Sequence, residues 1–174
     1  MKAFFLFSAL ALACNAQAQD KPTKPSLKNL EEKYGFRDAH FEADTTDFKD
    51  LVLLGHDKNS SDYTRTGDSK TIGDATLKDI HYSFYKGKLE SIILKTEGYN
   101  NSQALLAALQ AQYGPGDKTN PYRKYYLWGS KRVLMSFTQN SVNDDGSVLI
   151  TSRVVYAKQK TDDAAAAKKA ASDL

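Results

Sequence analysis

The chain predicts an α+β fold: an antiparallel meandering sheet of six or seven strands with two helices on one face. Three observations predict it. First, apolar and polar residues alternate on both sides of Lys86-Gly87, within Leu77–Thr96, the signature of a hairpin. Second, Ser102–Tyr113 carries an apolar stripe at helical spacing and is closed by Gly114. Third, a short helix pattern followed by three strand patterns occurs once before residue 100 and again after it, which suggests a tandem helix-plus-three-strands repeat.

The N-terminus comes before this fold. Met1-Lys2 gives a positive start, and Ala3 to Ala13 is apolar apart from Ser8, a run too short to span a bilayer. Ala16-Gln17-Ala18 is an A-x-A cleavage site, so residues 1–18 read as a secretory signal peptide. The expected location is the periplasm or the medium. Leu10-Ala11-Leu12-Ala13-Cys14 also resembles a lipobox, although Ala11 stands where a larger aliphatic residue is usual. A cut before Cys14 would give a lipoprotein anchored through that residue. A cut after Ala18 removes the single cysteine, leaving a chain without disulfide or thiol chemistry.

Residues 19–34 read as a linker. Gln19 to Ser26 is polar with two prolines, and Leu27 to Tyr34 forms a short helical turn ended by Gly35. A single domain is expected over 35–157. Ala39, Phe41 and Ala43 alternate with His40, Glu42 and Asp44, a strand with one apolar face. Phe48, Leu51 and Val52 fall at i, i+3, i+4 before Gly55, which predicts a first helix over 47–54. His56 to Gly73 reads as a polar loop with a short strand at Tyr63–Thr66.

In the hairpin, pairing Tyr85 with Lys88 sets Phe84 opposite Leu89, Tyr82 opposite Ser91 and Ile80 opposite Ile93. His81, Glu90 and Ile92 then share the other face. Asn100-Asn101-Ser102 supplies caps for the second helix, with Leu105, Leu106, Leu109 and Tyr113 as its stripe. Tyr122–Trp128 and Lys131–Thr138 form a second hairpin. A last strand runs from Ser147 to Ala157, with Val148, Ile150 and Val154 on one face. Residues 158–174, rich in lysine and alanine, read as a flexible tail.

A net charge of +3, even before Lys2 leaves with the signal, is too mild to call for nucleic acid, and a membrane is called for only if Cys14 is lipidated. The three histidines, His40, His56 and His81, lack the spacing of a metal site. No G-x-S-x-G elbow or phosphate loop occurs, and no cofactor is implied. What remains is an aromatic-basic cluster. Tyr122, Arg123, Tyr125 and Trp128, with Lys124 and Tyr126 between them, are the candidate binding residues for a protein or glycan partner in the cell envelope.

Tyr63-x-Arg65, Ile80-x-Tyr82-x-Phe84-Tyr85-Lys86-Gly87-Lys88-Leu89, Tyr113-Gly114-Pro115 and Trp128 together resemble a set of uncharacterised exported bacterial proteins over roughly residues 35–155. The element order is similar to β-lactamase-inhibitor-protein-like folds and to small outer-membrane-assembly lipoproteins, in topology only. The chain lacks the disulfides typical of the inhibitor. The expected function is a non-catalytic binding or accessory protein of the bacterial envelope. Two alternatives stand beside it: an inhibitor of a secreted enzyme, and a small hydrolase using a carboxylate pair, which a polar cluster in a concave pocket would favour.

Overall fold

The computed structural model describes residues 25–172. The signal sequence and Cys14 lie outside the described residues. Among the described residues three helices occur, in the order α1 (Leu27–Lys33), α2 (Gly98–Tyr113) and α3 (Arg153–Ser172). Between α1 and α2 come β1 (Gly35–Phe36), β2 (Ala39–His40), a 3-10 turn (Thr45–Asp47), β3 (Leu51–His56), β4 (Ser60–Arg65), β5 (Thr71–Ile72), β6 (Ala75–Tyr85) and β7 (Lys88–Thr96). After α2 come β8 (Tyr125–Gly129), β9 (Val133–Gln139) and β10 (Gly146–Ser152). The main sheet is antiparallel, in the order β3-β4-β6-β7-β10-β9-β8, with β5 paired to β6 beside it.

The best-marked hairpin, β6–β7, turns where expected. Lys86 and Gly87 both have positive φ, 47° and 78°, which matches the twist of the flanking strands. Phe84 pairs with Leu89 and Tyr85 with Lys88, but a bulge at Glu90 then shifts the register by one. Tyr82 therefore faces Ile92, Ile80 faces Leu94, and His81 faces Ile93. The expected pairs of Tyr82 with Ser91 and Ile80 with Ile93 are corrected by this one extra residue. The bulge lets Ile92 and Leu94, both fully buried, join Ile80, Tyr82 and Phe84 on the core face.

One row of the core can be followed across the sheet. Trp128 pairs with Met135, Met135 with Ile150, Ile150 with Ile92, Ile92 with Tyr82, and Tyr82 with Tyr63. On this face α2 buries Leu105, Leu106, Leu109 and Tyr113, the stripe read from sequence. The helix begins four residues earlier than expected, at Gly98. Its supposed caps are interior: the Asn101 side chain accepts from the Thr76 N–H, and the Ser102 hydroxyl donates to backbone carbonyls of Gly98 and Asp144.

Four further expectations are corrected. Residues 47–54 are not a helix. Phe48 packs edge-on to Phe84 at 5.3 Å, and Leu51 onward forms edge strand β3. The helical spacing of Phe48, Leu51 and Val52 came from a turn followed by a strand. The linker expected over 19–34 ends within the fold, because α1 buries Leu30 in the core. The last strand ends at Ser152. Val154 and Val155 belong to α3, and the tail residues up to Ser172 are helical.

With these corrections, the final strands of the two meanders, β7 and β10, lie side by side in the centre of the sheet. The helix that precedes the first meander is α1, not residues 47–54. Contacts from Ser26 and Asn29 to the Gln112 carbonyl hold α1 against α2. Among the described residues, the opposite face of the sheet is covered by α3 at one end. There α3 is tied down by Asp162, which accepts from the Tyr85 hydroxyl at 2.9 Å and from Lys86 at 2.6 Å.

A second tie fastens α1 to the β8–β9 turn. Glu31 accepts from Arg132 Nε at 2.7 Å and from its backbone N–H at 2.9 Å, while the guanidinium sits 3.9 Å over the Tyr34 ring. Hydrogen bonds from Ser130 and Arg132 lower the Glu31 carboxyl from 4.5 to about 2. A depressed carboxyl stabilises the fold above its unfolded value and loses that contribution as pH falls through its folded value. Glu31→Gln should therefore lower the urea midpoint clearly at pH 7 and by less at pH 2, where about half of the folded carboxyl is already protonated. An equal deficit at both pH values would contradict the charged clamp.

Candidate functional site

Strand alternation decides where the aromatic cluster goes. In β8, Tyr126 and Trp128 face the core and Tyr125 and Leu127 face outward. Trp128 is 1% exposed, stacks on Tyr126 at 6.2 Å and donates from Nε1 to the Gly114 carbonyl at 2.9 Å. It is a core residue, and its assignment to the binding site is corrected.

The other three expected residues come together. Tyr122, Arg123 and Tyr125 line an open cleft of about 1040 Å³, between the loop preceding β8 and the turn from β9 to β10. Thr119, Asn120, Lys124, Thr138, Gln139, Asn140, Ser141 and Asp144 complete the lining. This volume is at the upper end of the usual range for ligand clefts, roughly 300–1,000 Å³.

Local hydrogen bonds build both walls. Asn120 accepts from the Tyr122 N–H through its side chain, at 2.9 Å, an Asx turn that sets out the Tyr122 ring. Tyr122 is 96% exposed, so its ring stands free at the rim. Pairing of Tyr125 with Thr138, and a bond from the Gln139 N–H to the Lys124 carbonyl at 3.1 Å, join the two walls at the base. In the opposite wall, Asn140 uses its side-chain oxygen on the Val142 N–H at 2.7 Å.

Gln139 is held between helix and turn. Its Oε1 accepts from Gln103 of α2 at 2.7 Å, and its Nε2 donates to Asp144 at 2.9 Å. The two asparagines spend their carbonyl oxygens on the turns, which leaves Nδ2 of each as a donor. Arg123 and Lys124 add cationic donors, and Lys124 lies 4.5 Å over the ring of Tyr99. The cleft thus offers donors and an aromatic face to a ligand rich in acceptors. Its single lining carboxylate, Asp144, is engaged by Gln139.

Sequence reasoning missed Asn120, Gln139, Asn140 and Asp144. Asn120 and Asn143-Asp144-Asp145-Gly146 carry turn chemistry, but nothing in their spacing says that the two segments meet. Among the described residues no three His, Cys, Asp or Glu side chains gather as metal ligands, and no helix is long and apolar enough to cross a membrane. Glu42 accepts from the Tyr34 hydroxyl, and His40 ends the small β1–β2 hairpin. Comparison of the chain with protein-family models, curated proteins and solved structures finds no match.

Proposed function

We propose that this is an exported, non-catalytic binding module of the bacterial cell envelope, and that the Tyr122 cleft holds a saccharide. The observation that carries this reading is the lining itself. A freely exposed tyrosine ring stands over a wide groove of amides, hydroxyls and two cations. Tyrosine rings offer an apolar face to the C–H face of a sugar. Asparagine Nδ2 groups and the Arg123 guanidinium suit hydroxyl, acetamido or carboxylate oxygens.

The cleft is concave and polar, as a hydrolase site also is. Glycoside hydrolysis ordinarily needs two carboxyl groups across the scissile bond. The lining has one, and its hydrogen bond to Gln139 serves the wall. Binding without turnover is therefore the better reading.

The test is calorimetric titration of the purified protein with an N-acetylglucosamine tetramer and with a uronic-acid tetramer. One of the two should bind, with the sugar recovered intact. Tyr122→Ala and Arg123→Ala should each weaken binding by about tenfold or more, worth roughly 1.4 kcal/mol. Thermal unfolding should be unchanged in both, because these side chains are exposed. Heat from neither sugar, or equal affinity in both variants, would sink the saccharide reading. Capture of an envelope protein instead would point to a protein partner.

A further inference from the structure

A second hollow lies on the helix side of the sheet, and it shares no lining residue with the Tyr122 cleft. It holds about 220 Å³ and is lined from α1, β1, β5, α2 and the sheet. Leu94, Met135 and Ile150 line it from β7, β9 and β10, and Phe36 and Leu109 line it from the layer above. All five belong to the hydrophobic core. It opens to solvent beside Thr71 and Gln112, which are exposed. Well-packed interiors leave few voids larger than a water molecule. A space of this size reaching core side chains is therefore a feature to be explained.

The charged part of the lining is cationic. Lys33 and Arg37 both line the hollow, and among the described residues no carboxylate does. Arg37 is set in place: it donates to the Ser69 carbonyl at 2.6 Å and to the Thr71 carbonyl at 2.8 Å, and its guanidinium lies 4.7 Å over the Phe36 ring. Those bonds leave other guanidinium N–H groups as donors. Asp38, the next residue, is taken by Arg65. Among the described residues the Lys33 ammonium has no hydrogen bond or ion pair. The Tyr113 hydroxyl likewise has no protein partner among them, while burial pushes it up to about 12. Buried tyrosine hydroxyls usually find a partner.

We propose that this hollow binds a small amphipathic carboxylate, with its chain against Leu94, Met135 and Ile150 and its charge at Lys33 and Arg37. An apolar cavity of about 150 Å³ takes up a benzene ring, so this one has room for a chain of about eight carbons. A saccharide does not suit it, because the core side chains offer its hydroxyls no partner. A neutral apolar molecule would fill the space but leave both cations unused. A carboxylate answers both halves of the lining, since guanidinium and ammonium groups bind it through charge-assisted hydrogen bonds. The proposal stands apart from the saccharide reading.

Calorimetric titration of the purified protein with sodium octanoate tests this. The wild type should bind one octanoate with a Kd of about 100 µM. It should bind 1-octanol, the same chain without the charge, about tenfold more weakly or worse. Lys33→Glu should weaken octanoate by about tenfold or more and leave thermal unfolding unchanged, because this ammonium has no partner to lose. Ala108→Phe sets a ring into the hollow from α2 and should abolish octanoate binding, with far-ultraviolet circular dichroism unchanged. No saturable binding up to about 5 mM, octanol bound as tightly as octanoate, or full affinity in Lys33→Glu overturns the proposal. Full affinity in a folded Ala108→Phe protein also overturns it, by placing the octanoate on another surface.

Discussion

Trp128→Ala should destabilise the protein by about 3–5 kcal/mol, the range for removing a large buried aromatic side chain. The side chain is 1% exposed and sits in the row that runs from Met135 to Tyr63. Two further losses push the effect toward the top of that range. The Gly114 carbonyl loses its indole donor, which closes the end of α2. Gly116, with φ of 73°, lies so close under the indole that a Cβ there would sit 2.7 Å from it, so its loop loses the surface it packs on. Urea unfolding at pH 7 measures the cost. Tyr122→Ala, from the same aromatic cluster, should stay within about 0.5 kcal/mol of wild type. A Trp128→Ala protein as stable as wild type would contradict the placement of this residue in the core.

Arg65→Ala should cost about 3 kcal/mol by the same measurement, although the residue is on a polar stretch of chain. Its guanidinium grips Asp38 with two bonds, at 3.0 and 2.9 Å, and lies 3.8 Å from Asp68. It also covers the rings of Phe48 and Tyr82, at 5.7 and 5.8 Å. The Asp38 bond contributes the smaller share, because that side chain is 69% exposed and screened by solvent. Asp68 decides the magnitude. Its side chain is 9% exposed and accepts from the Tyr82 hydroxyl at 2.7 Å, so losing Arg65 leaves a carboxylate among buried rings without its cation. Burial and this same hydrogen bond hold the Tyr82 hydroxyl above its usual range. Arg65→Lys should recover little, since an ammonium cannot span both oxygens of Asp38 and stack on Phe48 at once. A deficit under 1 kcal/mol in Arg65→Ala would show that the cluster is solvated.

These two residues show what the sequence makes legible. Tyr63, Arg65, Tyr82 and Phe84 stand at alternate positions of neighbouring strands, so their pattern is visible; in the fold Tyr63 packs on Phe84, and the half-buried Arg65 cation lies over Tyr82. The β6–β7 hairpin was legible because Lys86-Gly87 fixes the turn locally. The bulge at Glu90 was not, since it depends on which residues α2 requires on the core face. Residues 47–54 misled because Phe48, Leu51 and Val52 have helical spacing by coincidence: Phe48 answers to Phe84 and Leu51 to the β4 strand. α3 was hidden because an alanine-lysine run is a marginal helix alone, and the Asp162 tie to Tyr85 and Lys86 that seats it is 76 residues distant from the turn.

The candidate site was legible in part for the same reason. Alternation says that Tyr125 and Trp128 face opposite ways, but not which way is out. The bond to the Gly114 carbonyl and the contact with Gly116 show that Trp128 turns inward, and the loop before β8 carries Tyr122 and Arg123 to the cleft. The opposite wall comes from a turn that meets this loop only because β9 lies between β8 and β10.

Amide chemical-shift mapping tests the binding reading most directly. The protein is titrated with the N-acetylglucosamine or uronic-acid tetramer that gives heat. Shifts should concentrate in the side-chain amides of Asn120, Gln139 and Asn140 and in the backbone of Tyr122 to Tyr125. The sugar should remain uncleaved throughout. Shifts confined to the open sheet face around Ile93 and Leu149, or cleavage of the sugar, would contradict it.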